Sequence, residues 1–373
     1  MTAFVGNNLR LIRLFHDWSL TELGDHVSVS KQFLSRVEIG AESVSAQLEA
    51  ALAETLKVLP QFFHYVDPNP IVDEQCHFRR QLTTKVVLRQ VARARGEVLK
   101  RFVAVLDEHV DLPKYQVGEA SPESAESIER AAEKFRALFG LGLGPVSSVT
   151  RIAENAGAVV MKVQGLAPEI DAVSFATKRP LIALNGLGRS ACRERFGIAH
   201  EMGHFWLHGG VLTGDRLTEM QANRFASAFL LPRITFANES RIAIRGSRLN
   251  WPGLSELKIR WGVSKAAIIF RGRQLGLFSD AQAKAGYVGL NRHGEAIQES
   301  EDHMVPAEEP EVVTESLKLM NSSLGVPQSA VARQMHVLPE LLQRLLGPSN
   351  IRGRSNVVSF RATRNDKTQQ DAT

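Results

Sequence analysis

The sequence predicts a mainly α-helical chain with one small β-sheet, an α+β protein. Two stretches, 6–60 and 86–139, repeat apolar residues at helical spacing. Three apolar runs, 158–163, 172–175 and 181–184, have the length and composition of strands. Helical patterns resume on both sides of those runs, so the strands form a small sheet inside a helical frame. Turn-rich, acidic and apolar-poor stretches divide the 373 residues. We expect an all-α unit at 1–66 and a linker with basic amphipathic helices at 67–140. A mixed unit carrying the strands follows at 141–290, then an acidic linker at 291–320. A small helical module at 321–347 and a disordered tail at 348–373 complete the chain.

Composition excludes several classes. No run of 18 apolar residues exists, so no membrane-spanning helix is expected. The first eight residues lack a charged-then-apolar export signal, which points to the cytoplasm. Cys76 and Cys192 are the only cysteines, which fits a reducing compartment and excludes a thiolate zinc knuckle. The net charge of +5 is mild, and its uneven distribution carries more information.

In order along the chain, a first helix covers 8–15 with Leu9, Ile12 and Leu14 as apolar positions. A second covers 21–27, with Leu23 and Val27 inward and the small Gly24 at a close crossing. Ser28 and Val29 make the turn, and Ser30 N-caps a third helix that buries Leu34 and Val37. Ser45 caps a fourth carrying Leu48, Leu52 and Leu56. Two helices joined by a short turn with a small residue between them form a helix-turn-helix pattern. The residues Leu23-Gly24-x-x-Val27-Ser28-Val29-Ser30 and Leu34-Ser35-Arg36-Val37-Glu38-x-Gly40 resemble the XRE/Cro-like DNA-binding domains. The resemblance implies that the third helix enters the major groove of an operator. Lys31, Gln32, Ser35 and Arg36 are then the candidate contacts to double-stranded DNA, since Gln and Arg can bond base edges bidentately. The plain alternative is a small bundle that binds protein. Leu20 departs from the family, which commonly starts the second helix with Gln, and so removes one phosphate contact.

Asp67-Pro68-Asn69-Pro70 reads as a linker. Beyond it, Arg79, Arg80, Lys85, Arg89, Arg93, Arg95, Lys100 and Arg101 stand against Glu97 alone, above an apolar face of Val91, Val98, Phe102 and Leu106. Two readings stay open here: a basic face that tracks phosphates and an ordinary solvated face. Residues 115–123 read as a second hinge, and Ser124 as the cap of a helix running to Phe139. Of the strand runs that follow, 172–176 is placed to hold an extended peptide by main-chain hydrogen bonds.

The chemistry sits next. His200-Glu201-x-x-His204 puts two imidazoles on one face of a helix, where they can take one Zn²⁺. Glu201 stays beside the metal as the candidate base. The apolar neighbours Phe196, Ile198, Ala199, Phe205 and Leu207 make this a buried helix and not a solvated one that happens to carry two histidines. A second amphipathic pattern, 219–231, ends at Pro232. Glu219 can supply a third ligand, and Asn223, one turn on, can bond the free ring nitrogen of a ligand histidine. Leu207 and Gly210 exclude the three-histidine metzincin pattern. Arg224 and Tyr287 are candidate oxyanion donors, and His208 reads as structural.

Arg195-Phe196, His-Glu-x-Gly-His at 200–204 and Glu-x-x-Ala-Asn-x-Phe-Ala from 219, ending in Leu-Leu-Pro at 230–232, resemble the ImmA/IrrE family of zinc metallopeptidases over roughly residues 145–280. Gln221 stands where that family often has a second acid, which leaves Glu219 as the acidic ligand. The resemblance implies a zincin-like metallopeptidase unit that cuts a helix-turn-helix repressor to switch on stress, phage or mobile-element genes.

After Pro232, 254–277 is again helical, with a helix-turn-helix-like turn at Gly262-Val263-Ser264-Lys265. Residues 279–294 read as short strand and turn pieces. The acidic stretch 295–315, with eight Asp/Glu and no Lys/Arg, reads as an exposed flexible connector. The partner of the helical pair at 326–346 is open: itself, the peptidase-like unit or a second protomer in a homodimer. The whole suggests a DNA-bound regulator whose zinc protease cleaves a partner repressor or antitoxin. The competing expectation is a transcription factor or antitoxin-like repressor whose zincin unit only senses or dimerises.

Overall fold

Helix N-caps set the first elements. In the computed structural model, which describes residues 3–78, 86–116, 118, 120–166 and 170–347, the amino-terminal unit holds α1 (Gly6–Phe15), α2 (Leu20–Val27), α3 (Lys31–Glu38) and α4 (Ala46–Thr55). Ser19, Ser30 and Ser45 each accept a backbone N–H of the first turn, starting α2, α3 and α4 where the sequence places them. Arg13 of α1 donates to both oxygens of Glu38 at 2.6 and 3.0 Å, fixing α3 against α1 through a buried charge pair. Lys31, Gln32, Ser35 and Arg36 are all exposed on α3. Arg36 pairs loosely with Glu42 at 3.3 Å.

The sheet contains β1 (Cys76–Phe78), β2 (Val159–Val163), β3 (Ala172–Phe175) and β4 (Leu181–Asn185) in the order β1-β3-β4-β2. β2 and β4 are parallel, while β3 runs antiparallel to both β4 and β1. Both faces are covered, which explains why the strands read as continuous apolar runs. On one face Val159, Met161, Val173, Phe175 and Ala183 pack with the amino-terminal unit and α5 (Val86–His109). On the other, Val160, Ala172, Ile182 and Leu184 face α6 (Ala125–Leu138), α7 (Val149–Asn155), α8 (Ala191–Leu207) and α9 (Arg216–Leu230). The chain continues through α10 (Arg233–Glu239), the two-residue strands β5 (Ile244–Arg245) and β6 (Arg248–Leu249), α11 (Trp251–Trp261), α12 (Lys265–Gln274) and α13 (Asp280–Arg292). It ends in α14 (Val312–Ser323), α15 (Gln328–Gln334) and α16 (Pro339–Leu346). Helix occupies 59% and strand 7%, so the α+β expectation holds.

Four expectations change. The stretch 67–140 is not a linker: α5 lies across the sheet, so closely that a Cβ on Gly96 would sit 2.4 Å from the Phe175 ring. Four of its basic residues pair within the chain, two of them buried. Arg101 is buried, donates to Asn8 at 2.8 Å and lies over the rings of Phe62 and Tyr65. Arg95 is buried and donates to the Gly165 carbonyl, Lys100 pairs with Asp67 and Glu97, and Arg93 with Asp73. These four side chains are engaged within the chain, which leaves fewer of them to meet phosphates. Arg79, Arg80 and Lys85 lie outside the described residues.

Second, the strand expected to hold an extended peptide, β3, already has β1 paired along its outer side. Third, 279–294 is helix α13, started by a Ser279–Gln282 capping box. Fourth, the acidic stretch at 295–315 is a docked strap and not a free connector. Glu299 and Asp302 hold Lys258, Glu295 and Glu301 hold Lys265, and Glu308 accepts the amide N–H groups of Val149 and Thr150 at the start of α7. Charged side chains paired this way lose the repulsion that would keep the stretch extended.

The helical pair near the carboxyl end packs on its own chain. Val58 bridges Val337, Leu59 N donates to His336 O, and Leu338 N donates to Lys57 O. The tail at 348–373 lies outside the described residues.

Candidate metal centre

α8 and α9 build the site together. At Gly203 they cross so closely that a Cβ would lie 3.1 Å from the Phe225 ring and 3.3 Å from the Ala222 Cα. That approach lets one turn of α8 and the first turn of α9 present side chains to one point. His200, His204 and Glu219 offer ligand atoms all within 4.8 Å of one another. The two Nε2 atoms stand 3.0 Å apart, and the Glu219 oxygens stand 3.4 and 3.3 Å from them. These are the three residues that the sequence singles out.

The tautomers decide what this cluster can hold. His200 Nδ1–H donates to Asn223 Oδ1 at 3.1 Å, leaving the Nε2 lone pair inward. For His204 two further side chains fix the tautomer. Gln221 Nε2 donates to Pro122 O at 2.9 Å, so Gln221 Oε1 must accept from His208 Nε2–H, also at 2.9 Å. His208 Nδ1 is then an acceptor, and His204 Nδ1–H donates to it at 3.0 Å. His204 Nε2 therefore also points a lone pair inward. Burial pushes the His204 pKa down to about 3 against the pull of Glu219, so the ring stays neutral at physiological pH. Glu219 brings its carboxylate oxygens to the same point, where neither inward nitrogen has a proton to donate to it. Two inward lone pairs and a carboxylate with no proton to share repel one another. A cation between them resolves that repulsion, and two imidazoles with one carboxylate suit zinc.

Glu201 is buried beside this cluster, and the Ser174 hydroxyl of β3 donates to its Oε2. Asn223 sits one turn beyond Glu219 on α9 and bonds the His200 ring. The sequence reading treats His208 only as structural and assigns Gln221 no role, yet together they fix the His204 ring. His208 had a signal, its i+4 spacing from His204; Gln221 had none. Arg224 pairs with Glu129 at 3.2 Å. Tyr287 is half-buried and lines a cavity of about 320 Å³ shared with Phe196 and Asn223. His77 was also missed. Its ring stacks on His204 with centroids 4.8 Å apart and planes 6° from parallel, and its Nδ1 bonds Thr213 Oγ1 at 2.6 Å.

Residues 153–272 match the Peptidase_M78 family model, described as an IrrE N-terminal-like domain. The match spans α8 and α9 entire and supports a metallopeptidase-like unit there. It leaves the amino-terminal helices uncovered. No curated protein matches the chain. Among the described residues no helix is long and apolar enough to cross a membrane.

Proposed function

We propose that the chain is a DNA-binding regulator carrying a zinc-dependent endopeptidase that cuts a partner protein, a repressor or an antitoxin. The observation that carries the peptidase reading is the convergence of His200, His204 and Glu219 beside a buried Glu201. Those three residues would hold Zn²⁺, which when bound polarises a scissile carbonyl and acidifies a water. Glu201 takes the proton from the attacking water and passes it to the leaving amine. Ser174 holds the Glu201 carboxylate in place, while Asn223 and the His208–Gln221 pair hold the ligand rings. The DNA reading rests on α3, whose outward Lys31, Gln32, Ser35 and Arg36 are unobstructed. A second reading, a site that senses or dimerises without cutting, is favoured by one observation: β1 lies across the site.

The two readings separate on Glu201→Gln. The variant is expected to keep about one zinc per chain and to keep operator binding. It loses cleavage of a co-expressed repressor or antitoxin by roughly 10²-fold or more. His204→Ala is expected to lose the metal itself. Equal zinc in His204→Ala and wild type would remove the metal site. Equal induction of the controlled genes by wild type and Glu201→Gln under every stress, with no partner shortened, would leave only the sensor.

A further inference from the structure

We propose that β1 is the resident occupant of the edge along which a protein substrate must lie, so that an extended peptide reaches the site only by exchanging with this strand. The inference rests on the peptidase reading above. β3 is the strand that touches the chemistry, through Ser174 and Glu201. Its inner side is taken by β4, so a peptide can add to it only on the outer side. There β1 runs antiparallel, with Cys76 opposite Phe175, His77 opposite Ser174 and Phe78 opposite Val173. Paired residues point to the same face, so His77 and Ser174 both face α8. His77 lands flat on the His204 ring, where the central residue of a bound peptide would pass.

Two features mark β1 as replaceable. Among the described residues it pairs with β3 over three positions, so few ladder bonds have to be exchanged. It also buries the His77 Nε2 without a hydrogen-bond partner, a cost that a different side chain at that place would not incur. The start of the strand is fastened at one point, where Ala176 N donates to Gln75 O at 2.8 Å and Gln75 Nε2 donates to Ala176 O at 3.1 Å.

That fastening gives the test, on the full chain loaded with zinc. Gln75→Cys with Ala176→Cys places two thiols on an antiparallel pair, within the Cα spacing that a disulfide spans, and outside the metal cluster. The probe is a peptide hydroxamate, a short extended peptide with a zinc-binding head, followed by fluorescence anisotropy. The reduced double variant is expected to bind it as wild type does, and the oxidised form at least about 10-fold more weakly, since apparent affinity scales with the open fraction. His77→Gly is expected to bind at least about 10-fold more tightly, with faster hydrogen exchange at the Ala176 amide, a readout that needs no metal. Equal binding by the oxidised and reduced forms overturns the proposal, as does unchanged Ala176 exchange in His77→Gly. Absence of zinc from the wild type would instead overturn the peptidase reading beneath it.

Discussion

Two helix pairs in this chain share almost the same turn and meet opposite fates. Ser28-Val29-Ser30-Lys31 joins α2 to α3, and Gly262-Val263-Ser264-Lys265 joins α11 to α12. In both, the first residue is left-handed, at φ 56° and 62°. In both, the serine caps the following helix, Ser30 from Phe33 N at 3.2 Å and Ser264 from Ala267 N at 3.1 Å. The first turn of α3 is open to solvent. That of α12 is sealed by the acidic strap: Glu299 accepts Lys265 N at 3.0 Å, and Glu295 and Glu301 pair with Lys265 Nζ. A helix N-terminus beside a lysine attracts an anion. One pair leaves that place open to solvent, and the other fills it with its own carboxylates. The local motif sets geometry, and the covering charge decides what the geometry can meet.

The largest expected effect comes from uncovering the sealed pair. Lys258 is fully buried between Glu299 and Asp302. Glu299→Gln with Asp302→Asn strands that ammonium, and urea unfolding is expected to show a loss of about 3–5 kcal/mol. Arg36→Ala in the open pair is expected to stay within about 0.5 kcal/mol. Similar losses in both would erase the distinction between sealed and open.

A smaller effect is expected in operator binding. Gln32→Ala or Arg36→Ala should each cost about 1–3 kcal/mol wherever the residue reads a base. Lys265→Ala should leave gel shifts with the upstream region of the gene unchanged. A double Gln32→Ala, Arg36→Ala variant that binds normally would remove α3 as the reading helix. The weakest effect is in pH. Burial alone would raise Glu301, but hydrogen bonds from Lys265 and Ser255 outweigh it and hold the carboxyl at about 2, below its ordinary 4.5. With the folded value depressed, its stabilisation is complete above about 4.5 and lost as pH falls toward 2. Glu301 is partly solvated, so the change is small. Hydrogen exchange should show protection of the first turn of α12 declining across that window, with no matching decline in the first turn of α3.

The convergence of His200, His204 and Glu219 could be read in the sequence because the spacings are local. His200, Glu201 and His204 lie on one helix, and Glu219 opens the next. The N-caps at Ser30, Ser45 and Ser124 could be read for the same reason. What failed was charge. A count along the chain cannot tell an arginine in water from Arg101 between Phe62 and Tyr65, nor a free glutamate from Glu299 on Lys258. Long-range pairing failed too. Nothing near Cys76-His77-Phe78 indicates that this stretch will align with Ala172–Phe175, and the site's covering strand was invisible until the sheet was assembled. Helix α13 was missed although its Ser279–Gln282 capping box was on the page, because its small residues, Ala283, Ala285 and Gly286, give a weak periodic signal.

The pairing of Leu59 with His336 and of Lys57 with Leu338 has a consequence for synthesis. The segment that closes the amino-terminal unit finds these partners only when the ribosome has made nearly three hundred more residues, an interval of roughly 15–60 s at typical elongation rates. Until then the nascent unit lacks the Val58–Val337 bridge and the bond between Arg344 and His16. Messages broken before that point would yield chains whose α1–α4 bundle is incompletely buttressed and open to proteolysis. Full support of the α1–α4 bundle is thereby tied to translation having passed α8 and α9.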